Sequence, residues 1–147
     1  MSVKDALLLL KEDGAAVTAT DAGWTTLTED STTGKVVVQI DKMPMGGMPI
    51  EVLATADTGT SNDKTMIVTI EASDELASEW IVVATFPSIT YADTAACRFV
   101  RRVATQLKYL RSVITVAGSN GTVSRYFTIT VGIGLVDDDY AYVGTGS

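Results

Sequence analysis

The stretch YLRSVITVAGSNGTVSRYFTITV, residues 109–131, is the most informative part of the sequence for the fold. Apolar and polar residues alternate on both sides of Asn120-Gly121, and this dipeptide is typical of a two-residue hairpin turn. Such a turn would place Ile114 opposite Phe127 in one sheet, which would have one apolar face and one mostly polar face. The stretch therefore predicts an antiparallel β-hairpin.

Short β-branched and apolar segments, separated by turn residues, recur through the rest of the chain. Trp80, Val82, Ala84 and Phe86 share one face of a predicted strand, and Pro87 ends it. Further strands are predicted at residues 24–28, 35–40, 50–56 and 65–71. Strands at such regular spacing are typical of a β-sandwich or a β-barrel.

Two segments fit more than one structure. Residues 6–11 are compatible with a helical turn or an extended arm. In residues 96–107 apolar side chains recur at helical spacing and also in alternation, and the β-rich surroundings favour the strand. We expect a single all-β domain over residues 1–147, with an N-terminal arm at 1–15 and a C-terminal tail at 137–147.

The composition argues for a globular domain without a catalytic site. Hydrophobic residues make up 46% and charged residues 20% of the 147 residues, which is typical of a chain with a buried core. There is no histidine and a single cysteine, Cys97. The commonest general base, the commonest metal ligand and multi-cysteine metal sites are therefore excluded. We expect no enzymatic activity and no cofactor.

The net charge of −7 is unevenly distributed. Residues 98–136 contain six basic residues and no acidic one, whereas the flanking parts of the chain are acidic. Such a protein is a poor general nucleic-acid binder, and no apolar run is long enough to cross a membrane. We therefore expect protein partners. The candidate interface residues are Arg98, Arg101, Arg102, Lys108, Arg111 and Arg125, together with Tyr140 and Tyr142 of the tail. Arg125 falls on the apolar side of the predicted hairpin, close enough to the turn to reach solvent.

Three motifs suggest other chemistry. Asp57-Thr58-Gly59 matches the signature of aspartic proteases, in which two aspartates share a proton across a two-fold axis. A polar turn between strands also explains these residues. Oxygen-rich groups at residues 57–63 and 137–139 are candidate cation sites, or simply solvated acidic turns. The tryptophans and tyrosines could form a sugar-stacking platform if several of them share an exposed sheet face.

Segments 80–87 and 109–135 resemble the jelly-roll capsid cement, or decoration, proteins of tailed phages, of the type described for a Bordetella bacteriophage. The resemblance is carried by EWIVVATFP at 79–87, by KYLR at 108–111 and by the final strand ending VGIGL at 131–135. The opening DALLLLKEDGAA at 5–16 is also similar to that group.

The resemblance implies a jelly-roll β-sandwich with extended terminal arms on the exterior of a virion, assembled in the host cytoplasm. It also implies a function: a structural protein that bridges major capsid protein subunits and stabilises the capsid. The partners would be the major capsid protein and the chain itself, as a homodimer or homotrimer. The alternatives are another virion component, such as a head fibre, baseplate or tail protein, or a carbohydrate-binding module.

Overall fold

The computed structural model describes residues 9–11, 15–20, 23–28, 30–40, 46–60, 63–90 and 95–132. Within these ranges the regular structure is β-strand, with no helix. The nine strands are β1 (Leu9–Lys11), β2 (Val38–Gln39), β3 (Met48–Ala54), β4 (Thr65–Ser73), β5 (Ile81–Thr85), β6 (Ile89–Thr90), β7 (Cys97–Val103), β8 (Tyr109–Ala117) and β9 (Phe127–Val131). The all-β fold class predicted from the sequence is confirmed.

The strands form two antiparallel sheets that together make a jelly-roll sandwich. Sheet 1 has the order β1-β9-β3-β7, and sheet 2 has the order β2-β8-β4-β5, with β6 also pairing with β4. The pairs β1–β9, β2–β8, β3–β7 and β4–β5 are nested, as if one long hairpin had been rolled up. The roll closes where β9 pairs with β3 and β8 pairs with β4, which gives the jelly-roll topology.

The core lies between the sheets and is filled by alternate residues of the central strands. On β4 the buried residues are Met66, Val68 and Ile70, as the alternation predicts, together with Ala72 and Ser73 at the end of the strand. The core continues through Ile50 and Val52 of β3 and through the inward residues of β8 and β9. β4 and β8 bury every second residue over most of their length, so the polar residues between the buried ones face outward, whereas β3 is buried on both faces along most of its length.

The predicted hairpin between β8 and β9 is not formed. β8 pairs with β2 and β4, whereas β9 pairs with β1 and β3 in the other sheet. A type I′ turn needs positive φ at both central residues, but only Gly121 (φ 83°) has it, and Asn120 does not. The connection therefore crosses from one sheet to the other, although both strands do contribute apolar faces to the same core.

The strand near Trp80 also differs from its prediction. Ala84 and Phe86 are buried, but Val82 is 54% exposed and Trp80 is only half-buried. The reason is a β-bulge, since Ile70 pairs with Ala84 whereas the next residue of β4 pairs with Val82, so that Val83 is the extra residue. A bulge reverses the facing of the residues that precede it.

The ambiguous segments are strands over part of their length. The strand prediction for residues 96–107 is confirmed by β7. Leu9–Lys11 of the expected N-terminal arm belongs to sheet 1, with Leu10 buried in the core. Residues 24–28 form no strand, and the predicted strand at 35–40 is reduced to Val38–Gln39. Residues 137–147, the expected tail, lie outside the described part of the chain.

Candidate functional site

Three of the predicted interface arginines lie on β7, the terminal strand of sheet 1. β7 pairs with β3 and with no other strand among the described residues. Opposite residues of paired strands point to the same face of the sheet. Arg101, which pairs with the buried Ile50, is therefore on the side of β7 that faces the core, while Arg98 and Arg102 are on the outer side. All three are exposed because β7 is at the edge of the sheet.

Each of these arginines is held by a polar partner. Arg98 Nε donates to Glu51 Oε2 at 2.6 Å, and this ion pair joins an exposed arginine to a buried carboxylate on β3. Arg102 Nη1 donates to the carbonyl oxygen of Gly47 at 3.0 Å, and Arg101 Nη1 donates to that of Thr85 at 2.9 Å. The last bond links the edges of the two sheets. The guanidinium groups are therefore oriented, and those of Arg101 and Arg102 contact neutral groups here.

A shallow groove of about 350 Å³ opens on the outer face of sheet 1 beside Arg98. It lies where β3 ends and where β7 and β9 begin. Its lining consists of Leu53, Ala54, Thr55, Ala96, Cys97, Arg98, Tyr126 and Thr128. Tyr126 is 42% exposed at this groove, and Val100, next along the outer side of β7, is 45% exposed. We call this feature the sheet-1 groove; Arg98 is part of its lining, and Arg102 lies farther along the same outer side of β7.

Sequence reasoning missed the apolar half of this surface. Leu53 and Val100 sit in runs that read as core strands, but alternation along β7 puts Val100 between Arg98 and Arg102 on the outside. The alternation of side chains along β7 was the feature of the sequence that could have revealed this exposed apolar surface. The exposure of Tyr126 depends on its neighbours across three strands, which a single segment does not reveal.

Arg125 does not reach solvent, and the expectation that it would is wrong. Its side chain is 1% exposed. Arg125 Nη1 donates to the carbonyl oxygens of Thr55 at 3.0 Å and Ala95 at 3.3 Å, and lies 4.0 Å from the Cys97 sulfur. The residue therefore lies beneath the sheet-1 groove as a structural link between the chain segments that line it.

The remaining two basic residues of the stretch lie on sheet 2. Arg111, on the outer side of β8, forms an ion pair with Glu71 of β4 at 2.6 Å. Its guanidinium carbon lies 4.2 Å from the centroid of the Trp80 ring, and its Nη1 donates to the Trp24 carbonyl oxygen at 3.4 Å. Lys108 lies over the Tyr109 ring. The structure thus divides the predicted basic interface between two sheets.

Replacing Arg111 with alanine is expected to lower the free energy of unfolding by about 2 kcal/mol, because a largely buried ion pair and a cation–π contact are lost together. Arg111→Lys keeps the charge but loses the planar stacking on Trp80 and the branched set of guanidinium donors. It should therefore retain less than half of the free energy of unfolding that the alanine variant loses. Chemical denaturation measures both. Equal stability of the alanine variant and the parent would contradict the structural role of the Arg111 cluster.

The Asp57-Thr58-Gly59 segment has a structural role that does not require a protease. Asp57 Oδ1 accepts hydrogen bonds from the backbone N–H of Gly59 at 2.8 Å and of Ser124 at 2.9 Å. Thr58 N–H donates to the Ser124 carbonyl oxygen, and Thr122 N–H donates to that of Thr60. The β3–β4 and β8–β9 connections both cross between the sheets, and these bonds tie them together.

Asp63 fixes the same β8–β9 connection from another point. Its Oδ1 accepts from the backbone N–H of Asn120 at 2.8 Å and of Ser119 at 3.1 Å. The hydrogen bond from Asn120 is the largest cause that lowers the pKa of the Asp63 carboxyl below its ordinary value. Both hydrogen bonds favour the charged form, which explains why an acidic residue stands at this exposed position.

The other candidate groups are only partly within the described structure. In the described ranges, no three His, Cys, Asp or Glu side chains are grouped closely enough to hold a metal ion. Ser61 and Asn62 of the first candidate cation site, the second site at 137–139, Tyr140 and Tyr142 all lie outside those ranges. No helix of the described chain is both long and apolar enough to cross a membrane.

The tryptophans and tyrosines of the described ranges are divided between the two sheets. Trp24, Trp80 and Tyr109 are half-buried around the outer side of sheet 2, where Arg111 and Lys108 contact two of the rings. Tyr126 lies at the sheet-1 groove. A sugar-stacking platform stays a prediction.

Comparison with known proteins gives one solved structure of note. No protein-family model and no curated protein matches the sequence. The N-terminal CBM22-1–GH10 modules of Clostridium thermocellum endo-1,4-β-D-xylanase 10B, complexed with xylohexaose, have a TM-score of 0.39 and 13% sequence identity. The match covers 98% of this chain and 30% of that chain. A similarity at this level assigns no function to this domain.

Proposed function

We propose that this protein is a structural component of a phage virion that binds the outer surface of the head and bridges major capsid protein subunits. The observation that supports the proposal is the sheet-1 groove. It combines the exposed Tyr126 with Arg98, and the exposed Val100 and Arg102 lie farther along the same outer side of β7. This combination is typical of protein-binding surfaces, where aromatic residues and arginine are enriched.

The partner class comes from the phage resemblance of segments 80–87 and 109–135. A jelly roll is used for many functions, including capsid and lectin domains, so the topology alone does not choose among them. The basic stretch favours an acidic protein surface. A shell under internal pressure is stabilised by a small oligomer, because attachment at two or more points multiplies weak affinities.

The test is binding to heads that lack the protein, measured by co-sedimentation and imaging. The parent should bind stoichiometrically. Arg101→Glu with Arg102→Glu leaves the Arg98–Glu51 pair intact and should weaken binding about tenfold. The matched control, Lys64→Glu with Lys108→Glu, makes the same change in net charge away from the sheet-1 groove and should bind almost like the parent.

Absence of stoichiometric binding by a correctly folded parent would overturn the proposed function. Equal weakening by both double variants would mean that net charge governs binding, and would overturn the assignment to the sheet-1 groove. Circular dichroism and thermal melting of each variant establish that the fold is kept.

A further inference from the structure

The sheet-1 groove has a shape and a chemistry that define what fits it. Its volume of about 350 Å³ is at the lower end of the range of about 300–1,000 Å³ typical of ligand sites. Leu53, Ala54 and Tyr126 supply apolar contacts, and Arg98 stands at one side. An aromatic side chain therefore suits the apolar part of the groove. Acidic residues next to it in the sequence would suit Arg98.

The electrostatics of the groove favour an acidic occupant. Arg98 lines the groove, Arg102 lies farther along the same outer side of β7, and residues 98–136 of the sequence contain no acidic residue. Glu51 is the acidic residue of β3, and its buried carboxylate accepts from Arg98. A partner segment with several carboxylates would add a pairing partner for Arg102, whose hydrogen bond here goes to the backbone carbonyl of Gly47.

The chain itself contains a segment of this composition. Residues 137–142 read Asp-Asp-Asp-Tyr-Ala-Tyr. They follow β9, which begins beside the groove at Tyr126 and ends at Val131, at the other end of sheet 1. β9 itself runs away from its own groove. The geometry therefore favours a neighbouring copy as the acceptor.

We propose that the sheet-1 groove binds residues 137–142 of a second copy of this chain, with a tyrosine in the apolar part and the aspartates against the β7 arginines. Each contact then joins residues 137–142 of one copy to the groove of another. Two copies that exchange these segments reciprocally form a closed dimer, and a cyclic exchange forms a small ring. The proposal rests on the proposed function for its biological setting, since a decoration protein with two or more copies can bridge two capsid subunits.

The first experiment measures self-association of the full-length protein by sedimentation. Reversal of the tail charges, with Asp137, Asp138 and Asp139 changed to lysine, should weaken self-association about tenfold or more. Arg101→Glu with Arg102→Glu should do the same. A mixture of these two variants pairs lysine tails with glutamate grooves and should restore association to near the parental level. Unchanged association of both variants, or a monomeric parent, would overturn the proposal.

The second experiment uses the single native cysteine, because Cys97 lines the groove. Ala141→Cys keeps both tyrosines, and oxidation of the two thiols by diamide should give a covalent dimer on a non-reducing gel. Thr25→Cys is the control, because Thr25 is exposed and belongs to the segment near Trp24 on the sheet-2 side, so it should give little or no Cys97 cross-link.

The outcomes separate this proposal from the proposed function. An intrachain Cys97 link in place of the covalent dimer would mean that the tail binds its own groove, which overturns the exchange. Equal cross-linking of the control would mean random collision, with the same consequence. Binding to heads without tail exchange would support the proposed function and overturn the tail exchange. Tail exchange without binding to heads would support the oligomer and overturn the proposed function.

Discussion

Replacing Gly59 with alanine is expected to lower the free energy of unfolding by about 3 kcal/mol. A Cβ at Gly59 would lie 2.3 Å from the Thr122 carbonyl oxygen and 2.8 Å from Val123 Cα. Both are backbone atoms, so no side-chain rotation relieves the contact. The two sheet-crossing connections would have to separate, which weakens the hydrogen bonds from Thr58 and from Thr122 that join them.

Gly46→Ala is the matched control for this substitution. Gly46 is exposed, has no heavy atom within 4 Å of an added Cβ, and does not have a positive φ. Its replacement should therefore change stability by no more than about 0.5 kcal/mol. Urea denaturation measures both variants. If Gly59→Ala were as stable as Gly46→Ala, the close approach of the two connections would be wrong.

The Gly59 prediction also gives the Asp-Thr-Gly segment a meaning that the motif alone did not. In an aspartic protease the glycine would matter for activity, whereas here it matters because another backbone passes close to it. The residues are the same in both interpretations. The structural role of Gly59 follows from the position of the β8–β9 connection, and that position is a long-range property of the fold.

Alternation predicted the buried residues of β8 and β9 correctly but not their partners. The pattern around Asn120-Gly121 indicated that four of these residues are buried, and the structure confirms it for Leu110, Ile114, Phe127 and Ile129. Two strands of one hairpin, and two strands that face each other across a sandwich, both point their apolar residues into the same core. The periodicity is therefore identical in the two arrangements. The φ of Asn120 and the contacts of Asp63 decide between them.

The candidate interface shows the same limit. A stretch of six basic residues reads as one surface, yet β7 and β8 belong to different sheets. Arg98 and Arg102 therefore lie on the outer face of sheet 1, while Arg111 lies on the outer face of sheet 2. Spacing along the chain determines the side of a strand, but the sheet to which that strand belongs is determined by pairing with β3 and β4.

Arg125→Met is expected to lower the free energy of unfolding by about 3 kcal/mol. Methionine has a similar length but donates no hydrogen bond, so the Thr55 and Ala95 carbonyl oxygens lose their bonds to a guanidinium whose residue is 1% exposed. Loss of a hydrogen bond made by a buried side chain costs more than loss of one made by an exposed side chain, because water replaces the buried donor less easily. Thermal melting and urea denaturation measure the loss.

The control for Arg125 is Arg101→Met, which makes the same chemical change on an exposed side chain. Arg101 donates to the Thr85 carbonyl oxygen, but water can reach this site, so the loss should stay below about 1 kcal/mol. The difference between the two variants measures burial and not charge. Equal losses would mean that Arg125 is solvated, as the hairpin pattern had predicted, and that the floor of the sheet-1 groove is built differently. A large loss at Arg125 alone would identify it as the residue that holds the groove-lining segments at Thr55 and Cys97 in place.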